Sequence, residues 1–280
     1  MQEHGRHSIL CPNCRKLISE DEPQCPYCGI SNPGSRWKNN PWMRGFQNPD
    51  QLIQTIIYVN AGMFILSLLL NPRGMGFSMS PFSFLSPDNQ SLLLLGATGS
   101  IPIARFHRWW TLLSANYLHA SILHILFNMM ALKQIGALVI AEYGPYRMFI
   151  IYTLAGVLGY VVSYVAGVAF TLGASAAVCG LIGAGLYYGK SRGGIYGEAI
   201  YKQIGGWVIG LFAFGLLFPG INNWAHGGGL LAGIVLGFLL GYRERTPETL
   251  LHKTLAGSCA LASAVVLCFA VLTGVLLNFF

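Results

Sequence analysis

The chain is short of acid: ten Asp and Glu in 280 residues, none of them inside its long apolar runs. Ionisable groups are costly to bury in lipid and mark function where they occur, so this absence excludes several mechanisms. A paired-aspartate intramembrane protease, a zinc protease built on an HExxH helix and a carboxylate proton relay all need acids that these runs lack. Charge of either sign is scarce, at 10% of residues against 54% hydrophobic, too little polar surface to cover a soluble globule. An apolar h-region near the start is also missing. The first fifty residues are polar and carry cysteines and prolines, so no cleavable signal peptide is expected and the N-terminus is expected to stay cytosolic.

What is present is a series of apolar runs, most of them about 17 residues or more, the length needed to cross a hydrocarbon core of about 30 Å as helix. Spans are expected near 52–70, 112–132, 146–168, 174–189, 203–218, 224–241 and 255–278, giving an all-α membrane protein. The fourth is short, and the third, fourth and sixth are rich in Gly and Ala, as suits helices packed closely inside a bundle. Segment 71–111 interleaves Pro, Gly, Ser and Asn with Phe, Leu and Trp and reads as an interfacial loop. With the N-terminus inside, all 17 Lys and Arg except Arg73, Arg105 and Arg108 fall on the inner side. That bias obeys the positive-inside rule, so the net charge of +7 follows from topology and calls for no nucleic-acid partner.

Four of the seven cysteines form two CxxC pairs, Cys11-Pro-Asn-Cys14 and Cys25-Pro-Tyr-Cys28. Each pair turns two thiolates toward one point, and together they make a tetrahedral S4 site suited to structural zinc. A redox dithiol is the other reading. Two similar knuckles in a segment too short to bury a core favour a metal-held fold, and it resembles a zinc ribbon. A ribbon over 1–30 and a juxtamembrane linker over 31–51, with Trp37, Trp42 and Phe46 among basic residues, are therefore expected. Cys179, Cys259 and Cys268 lie singly in apolar spans and read as small buried side chains.

Among the polar residues within the spans, the candidates for chemistry are His119, His124, Asn128, Ser175 and His226. The second, fourth and sixth spans all run from outside to inside, so these five gather toward the outer leaflet. At 100° per residue, His124 and Asn128 share a face, whereas His119 points elsewhere and is expected to tie the adjoining loop. Gly229, Gly233 and Gly237 recur on the His226 face, which would let another backbone come close. Serine needs a base to take its proton, and histidine is the usual one. With no acid in the membrane to orient the imidazole, Ser175 and His226 imply a dyad rather than a triad. His124, the Asn128 amide and backbone N–H groups near Ser175 are candidate donors for an oxyanion. Each residue also has a plainer reading, as small packing residue, helix cap or interhelical hydrogen-bond partner.

The run from Trp110 through His119, His124 and Asn128 resembles the HxxxxHxxxN second-helix signature of rhomboid proteases. Gly173-Ala-Ser175 resembles their GxS nucleophile motif and Ala225-His226 their AH motif, in the family's order. The resemblance covers about 52–243, with 244–280 matching the variant that adds a seventh helix to the six-helix core. It implies Ser175 as nucleophile, His226 as base and acid, His124 and Asn128 as oxyanion-hole side chains, and no catalytic cofactor. It further implies single-span membrane substrates cut near the outer end of their helix. The fifth span and the loop Pro219 to Asn223 would be the lateral gate and cap, and a bacterial inner membrane is the expected location. Two positions depart from the family pattern: Ala176 stands where GxSG has its last glycine, and Thr111 follows Trp110 where the family has arginine, with Arg108 as a candidate substitute. The rivals are a catalytically silent relative that escorts client helices, against which the intact Ser175 and His226 count, and a transporter using membrane histidines, against which the missing acids count.

Overall fold

The computed structural model describes residues 8–12, 14–35, 49–77, 84–218 and 220–279. Most of the linker, including Trp37, Trp42 and Phe46, lies outside the described residues, as does Pro219. The chain divides into two compact units, Met1–Leu52 and Ile53–Phe280.

In the first unit, strands β1 (Ser8–Leu10) and β2 (Leu17–Ser19) pair antiparallel, with Leu10 opposite Leu17. Each CxxC closes a similar turn: Arg15 N donates to Cys11 O and Gly29 N to Cys25 O, both at 2.9 Å. The residue ending each turn, Arg15 at φ 58° and Gly29 at φ 74°, adopts the left-handed region that reverses the chain. Cys11, Cys25 and Ile18 are the buried core of this unit, which is too small to hold itself together by apolar burial.

The second unit is built on seven long helices: α1 (Pro49–Leu70), α2 (Ile122–Tyr143), α3 (Pro145–Val165), α4 (Ser175–Arg192), α5 (Gly194–Leu217), α6 (Asn223–Leu240) and α7 (Leu250–Phe279). Six of them are long and apolar enough to cross a membrane. The other, α4, falls short in hydropathy because it is made of glycine, alanine and a basic last turn. It needs no apolar exterior, since α2, α3, α5 and α6 surround it and most of its residues are buried. Its approach to α6 is backbone to backbone. A methyl on Gly229 would strike the Ala176 carbonyl, one on Gly233 the Gly180 carbonyl, and one on Gly183 the Leu230 carbonyl. The glycine stripe expected beside His226 therefore meets the helix that begins with Ser175. By contrast α5 packs mainly on α4, and Gly205, Gly206 and Gly210 along it face open space.

Several boundaries differ from expectation. The second span begins at Ile122, not 112, because residues 111–117 are used in two short helical turns and Leu118 is extended. The Ser121 hydroxyl then caps the helix by accepting from His124 N, and the helix runs on to Tyr143. Lys133, counted among the inner loops, is thus exposed in mid-helix. The fifth helix starts nine residues earlier than the apolar run, at Gly194, and carries the Glu198–Lys202 pair in its first turns. The described residues of segment 71–111 are more ordered than a simple loop. They hold strands β3 (Gly76–Phe77) and β4 (Phe84–Ser86), a short helix Asn89–Leu94 and a buried stretch from Leu95 to Thr98. Of the single cysteines, Cys179 is buried as expected, Cys259 is half-buried, and Cys268 is exposed on α7.

Arg147 also departs from its reading as an inner-loop charge: it is fully buried. All five of its guanidinium N–H groups are used. Nε donates to His252 Nε2, Nη1 to Tyr143 O and Thr246 O, and Nη2 to Thr246 Oγ1 and Pro247 O, at 3.0–3.3 Å. Its backbone N–H donates to Glu248 Oε1 at 3.0 Å. Burial pushes the Glu248 carboxyl up, and its bond to that N–H and the nearby guanidinium counter the effect only in part. The cluster fastens the 241–249 connection, and with it the start of α7, to the start of α3. Arg147→Met is expected to strand these acceptors at roughly 1–3 kcal/mol each before relaxation. Arg147→Lys should not restore stability, because an ammonium lacks the planar fork. Thermal melting in detergent, read with proteolysis within 241–249, checks both.

Candidate active site

The starts of three helices converge. Ser175 is the first residue of α4, His226 the fourth of α6, and His124 the third of α2. Ser175 Oγ and His226 Nε2 lie 2.9 Å apart, a hydrogen bond between residues 51 apart in sequence. For His226 to accept the hydroxyl proton, its own proton resides on Nδ1, which is buried and meets no hydrogen-bond partner among the described residues. The ring is 7% exposed, so its orientation depends on its helix and on packing rather than on a carboxylate.

His124 is oriented from the other side. The Ala120 N–H donates to His124 Nδ1 at 3.2 Å, which leaves the proton of the neutral imidazole on Nε2. That nitrogen faces Gly173, where a Cβ would come within 2.8 Å of Nε2 and 3.6 Å of Ser175 Oγ. Any side chain at 173 would fill the space between the two, and its φ of 130° is one that side chains disfavour. Tyr160 Oη donates to the Gly173 carbonyl at 2.6 Å, and Gly173 N donates to Ala115 O at 2.9 Å, so the turn before Ser175 is held at both ends. Asn128 is buried one turn after His124 and donates to the His124 carbonyl at 2.8 Å, on the face the helical spacing predicts.

His119 does not tie the adjoining loop by hydrogen bonds. It lies ahead of the α2 cap, fully buried, and neither ring nitrogen has a hydrogen-bond partner among the described residues. Instead its ring packs edge-on against His124, with centroids 5.1 Å apart. Trp110 packs edge-on against Phe269 of α7 and beside Gly96.

Both departures from the family pattern are accommodated locally. Ala176 is fully buried, and its methyl is received by Gly159 of α3, where an added Cβ would lie 3.1 Å from it. Thr111 Oγ1 donates to Arg108 O at 2.6 Å and sits 3.0 Å from Thr98 Oγ1, while the Arg108 guanidinium donates to Leu93 O at 3.1 Å. Threonine and Arg108 together thus tie this region to segment 93–98. Tyr160 belongs to no motif in the sequence; its one signal there is a phenol in an apolar span, which needs a partner for its hydroxyl.

The Rhomboid domain signature matches residues 107–243, the stretch from before Trp110 to just past α6. The chain is 32% identical over 216 residues to RHOMBOID-like protein 2 of Arabidopsis thaliana, covering 69% of this chain and 68% of that protein. It belongs to the rhomboid family. It is also 30% identical over 205 residues to RHOMBOID-like protein 4 of Arabidopsis thaliana, covering 68% of this chain and 52% of that protein. To the Rhomboid protease GluP of Bacillus subtilis (strain 168) it is 35% identical over 156 residues, 56% of this chain and 31% of that protein. The chain thus spans about half the length of RHOMBOID-like protein 4 and less than a third of GluP. Family membership and six apolar helices make this rhomboid an integral membrane protein.

The four N-terminal cysteines form a second site. Their sulfurs all lie within 4.8 Å of one another. Cys11 and Cys28 sulfurs are 3.6 Å apart and those of Cys14 and Cys25 3.8 Å. Four thiolates at a Zn–S distance of about 2.3 Å define a tetrahedron with edges of about 3.8 Å, so the donor set fits zinc in both identity and size.

Proposed function

We propose that this rhomboid is an intramembrane serine endopeptidase that cuts single-span membrane proteins, with Ser175 as nucleophile and His226 as its base. The observation that carries this reading is the 2.9 Å contact between Ser175 Oγ and His226 Nε2 at the joined starts of two helices. His226 takes the hydroxyl proton as Ser175 Oγ attacks the scissile carbonyl, then gives it to the leaving amine; water attacks the acyl-enzyme with His226 again as base. The oxyanion would form beside Gly173, facing the His124 Nε2 proton, with the second Asn128 amide N–H and the N–H groups of the first turn of α4 as further candidate donors. His124→Ala is expected to lower kcat by roughly 10²–10³-fold, the usual loss for one oxyanion donor.

The reading extends to topology. The basic residues favour a cytosolic N-terminus, and with a bacterial inner membrane as the proposed location this puts the dyad toward the outer face. The lightly packed α5 and the loop ending at Asn223 suit a lateral gate and cap for an incoming helix. In this reading the domains are a zinc ribbon over 1–30, a linker over 31–51, the protease core over 52–243 and the added helix over 244–280. Purified protein reconstituted with a single-span test substrate decides the matter. A product cut near the outer end of the substrate helix is expected, and a folded wild type that yields no cut product would overturn the proposal.

For the ribbon, Cys11, Cys14, Cys25 and Cys28 would hold zinc as thiolates, and the ion would supply the cross-link that so small a unit lacks. Stripping with a strong chelator is expected to expose these four thiols to alkylation, read by mass spectrometry, while melting of the helical unit changes little.

A further inference from the structure

We propose that Asn222 is a positioning residue that holds the start of α6, and therefore the His226 imidazole, in register with Ser175; this rests on the Ser175–His226 reading above. The side-chain amide of Asn222 is fully engaged across three segments. Its Oδ1 accepts from Ala225 N at 3.0 Å and so caps α6. Its Nδ2 donates to Ser163 Oγ of α3 at 2.6 Å and to Thr171 Oγ1, in the segment leading to Ser175, at 2.9 Å. Its backbone carbonyl accepts from His226 N at 3.2 Å. One residue thereby touches the helix of the base, the approach to the nucleophile, and the helix packed beneath both.

The need for such a tie follows from the dyad. Where a carboxylate orients the histidine of a triad, His226 Nδ1 here has no hydrogen-bond partner among the described residues. The imidazole can be no better placed than the first turn of its helix. The glycine contacts that set α6 against α4 begin at Gly229, after His226, so they do not reach the residues before it. Ala225 packs in one cluster with Ala176 and Asn223 Nδ2 donates to Gly215 O of α5 at 3.0 Å, and Asn222 adds the ties from that end to α3 and to the approach to Ser175. The tie continues outward, because Thr171 and Thr98 exchange both backbone hydrogen bonds, at 2.7 and 2.9 Å, and Thr98 Oγ1 meets Thr111 Oγ1. The threonine that replaces the family's arginine after Trp110 thus belongs to the same polar chain.

Serine at 222 keeps the helix cap but is too short to reach Ser163 and Thr171, so Asn222→Ser separates capping from positioning. Its melting temperature in detergent is expected to stay near that of wild type. Its labelling rate with a small fluorophosphonate, which needs no gate opening, is expected to fall roughly 10- to 100-fold, the effect of a misplacement on the order of 1 Å. In cleavage assays the loss should appear in kcat with KM little changed. Thr171→Val removes one acceptor without changing shape and should fall between the two; it carries the test if Asn222→Ser does not fold. Wild-type labelling rates in both variants would overturn the proposal, as would a loss that only tracks lowered melting temperature. A wild type that does not label at all would instead overturn the Ser175–His226 reading, and this proposal with it.

Discussion

Alanine in place of Ser175 is expected to abolish fluorophosphonate labelling and to lower cleavage on the order of 10⁶-fold, leaving the fold unchanged. The substitution removes one hydroxyl that, among the described residues, is linked to another element by its hydrogen bond to His226. His226→Ala should be nearly as damaging, because without a base the hydroxyl stays protonated and a weak nucleophile. The decisive result is the double variant. Two groups that act as one unit lose their effect once, so Ser175→Ala with His226→Ala should be no slower than either alone. Losses that multiply would show the two residues acting separately and would end the dyad reading. Melting curves and substrate turnover measured on the same preparations keep a folding defect apart from a chemical one.

The second large effect concerns glycine. Gly233→Val is expected to lower stability by roughly 1–3 kcal/mol or more and to extinguish activity together with it. Even a Cβ at this position runs into the Gly180 carbonyl, which is backbone and cannot rotate aside. The two helices must separate, and they are the helices that begin with Ser175 and carry His226 in their first turns. The contrast is Gly257→Ala in α7, where a Cβ meets nothing within 4 Å. There alanine removes backbone freedom from the unfolded chain and should be neutral or stabilising by about 0.5–1 kcal/mol. Thermal unfolding of the two variants side by side, with labelling as the activity readout, checks the pair. Equal stability would mean that the glycine stripe does not set the approach of α4 to α6.

Residue type and spacing were informative wherever chemistry is local. The four-residue step from His124 to Asn128 put both on one face, and the structure joins them through the His124 carbonyl. The two CxxC pairs gave a metal-sized cluster for the same reason, since a two-residue spacer leaves few ways to turn a chain. Helix starts were harder to read. The apolar run from 112 onward hid two short turns and an extended residue, because hydropathy averages over what a cap decides residue by residue. His119 precedes the cap at Ser121, so a helical direction does not apply to it.

Arg147 was beyond reach for another reason. A basic residue next to a span obeys the same positive-inside rule whether solvated or buried, and the returning segment 241–249 supplies three of the five acceptors that let it enter the interior. Asn222 is similar, since its partners Ser163 and Thr171 are 59 and 51 residues away. By itself the sequence determined that this rhomboid lives in a membrane, which polar groups it has there, and which acids it must do without, because these depend on composition and near-neighbour spacing. The tertiary structure alone decided which of those groups meet. That choice depends on how closely α4 and α6 approach and at what register, a matter of glycine against carbonyl across the bundle.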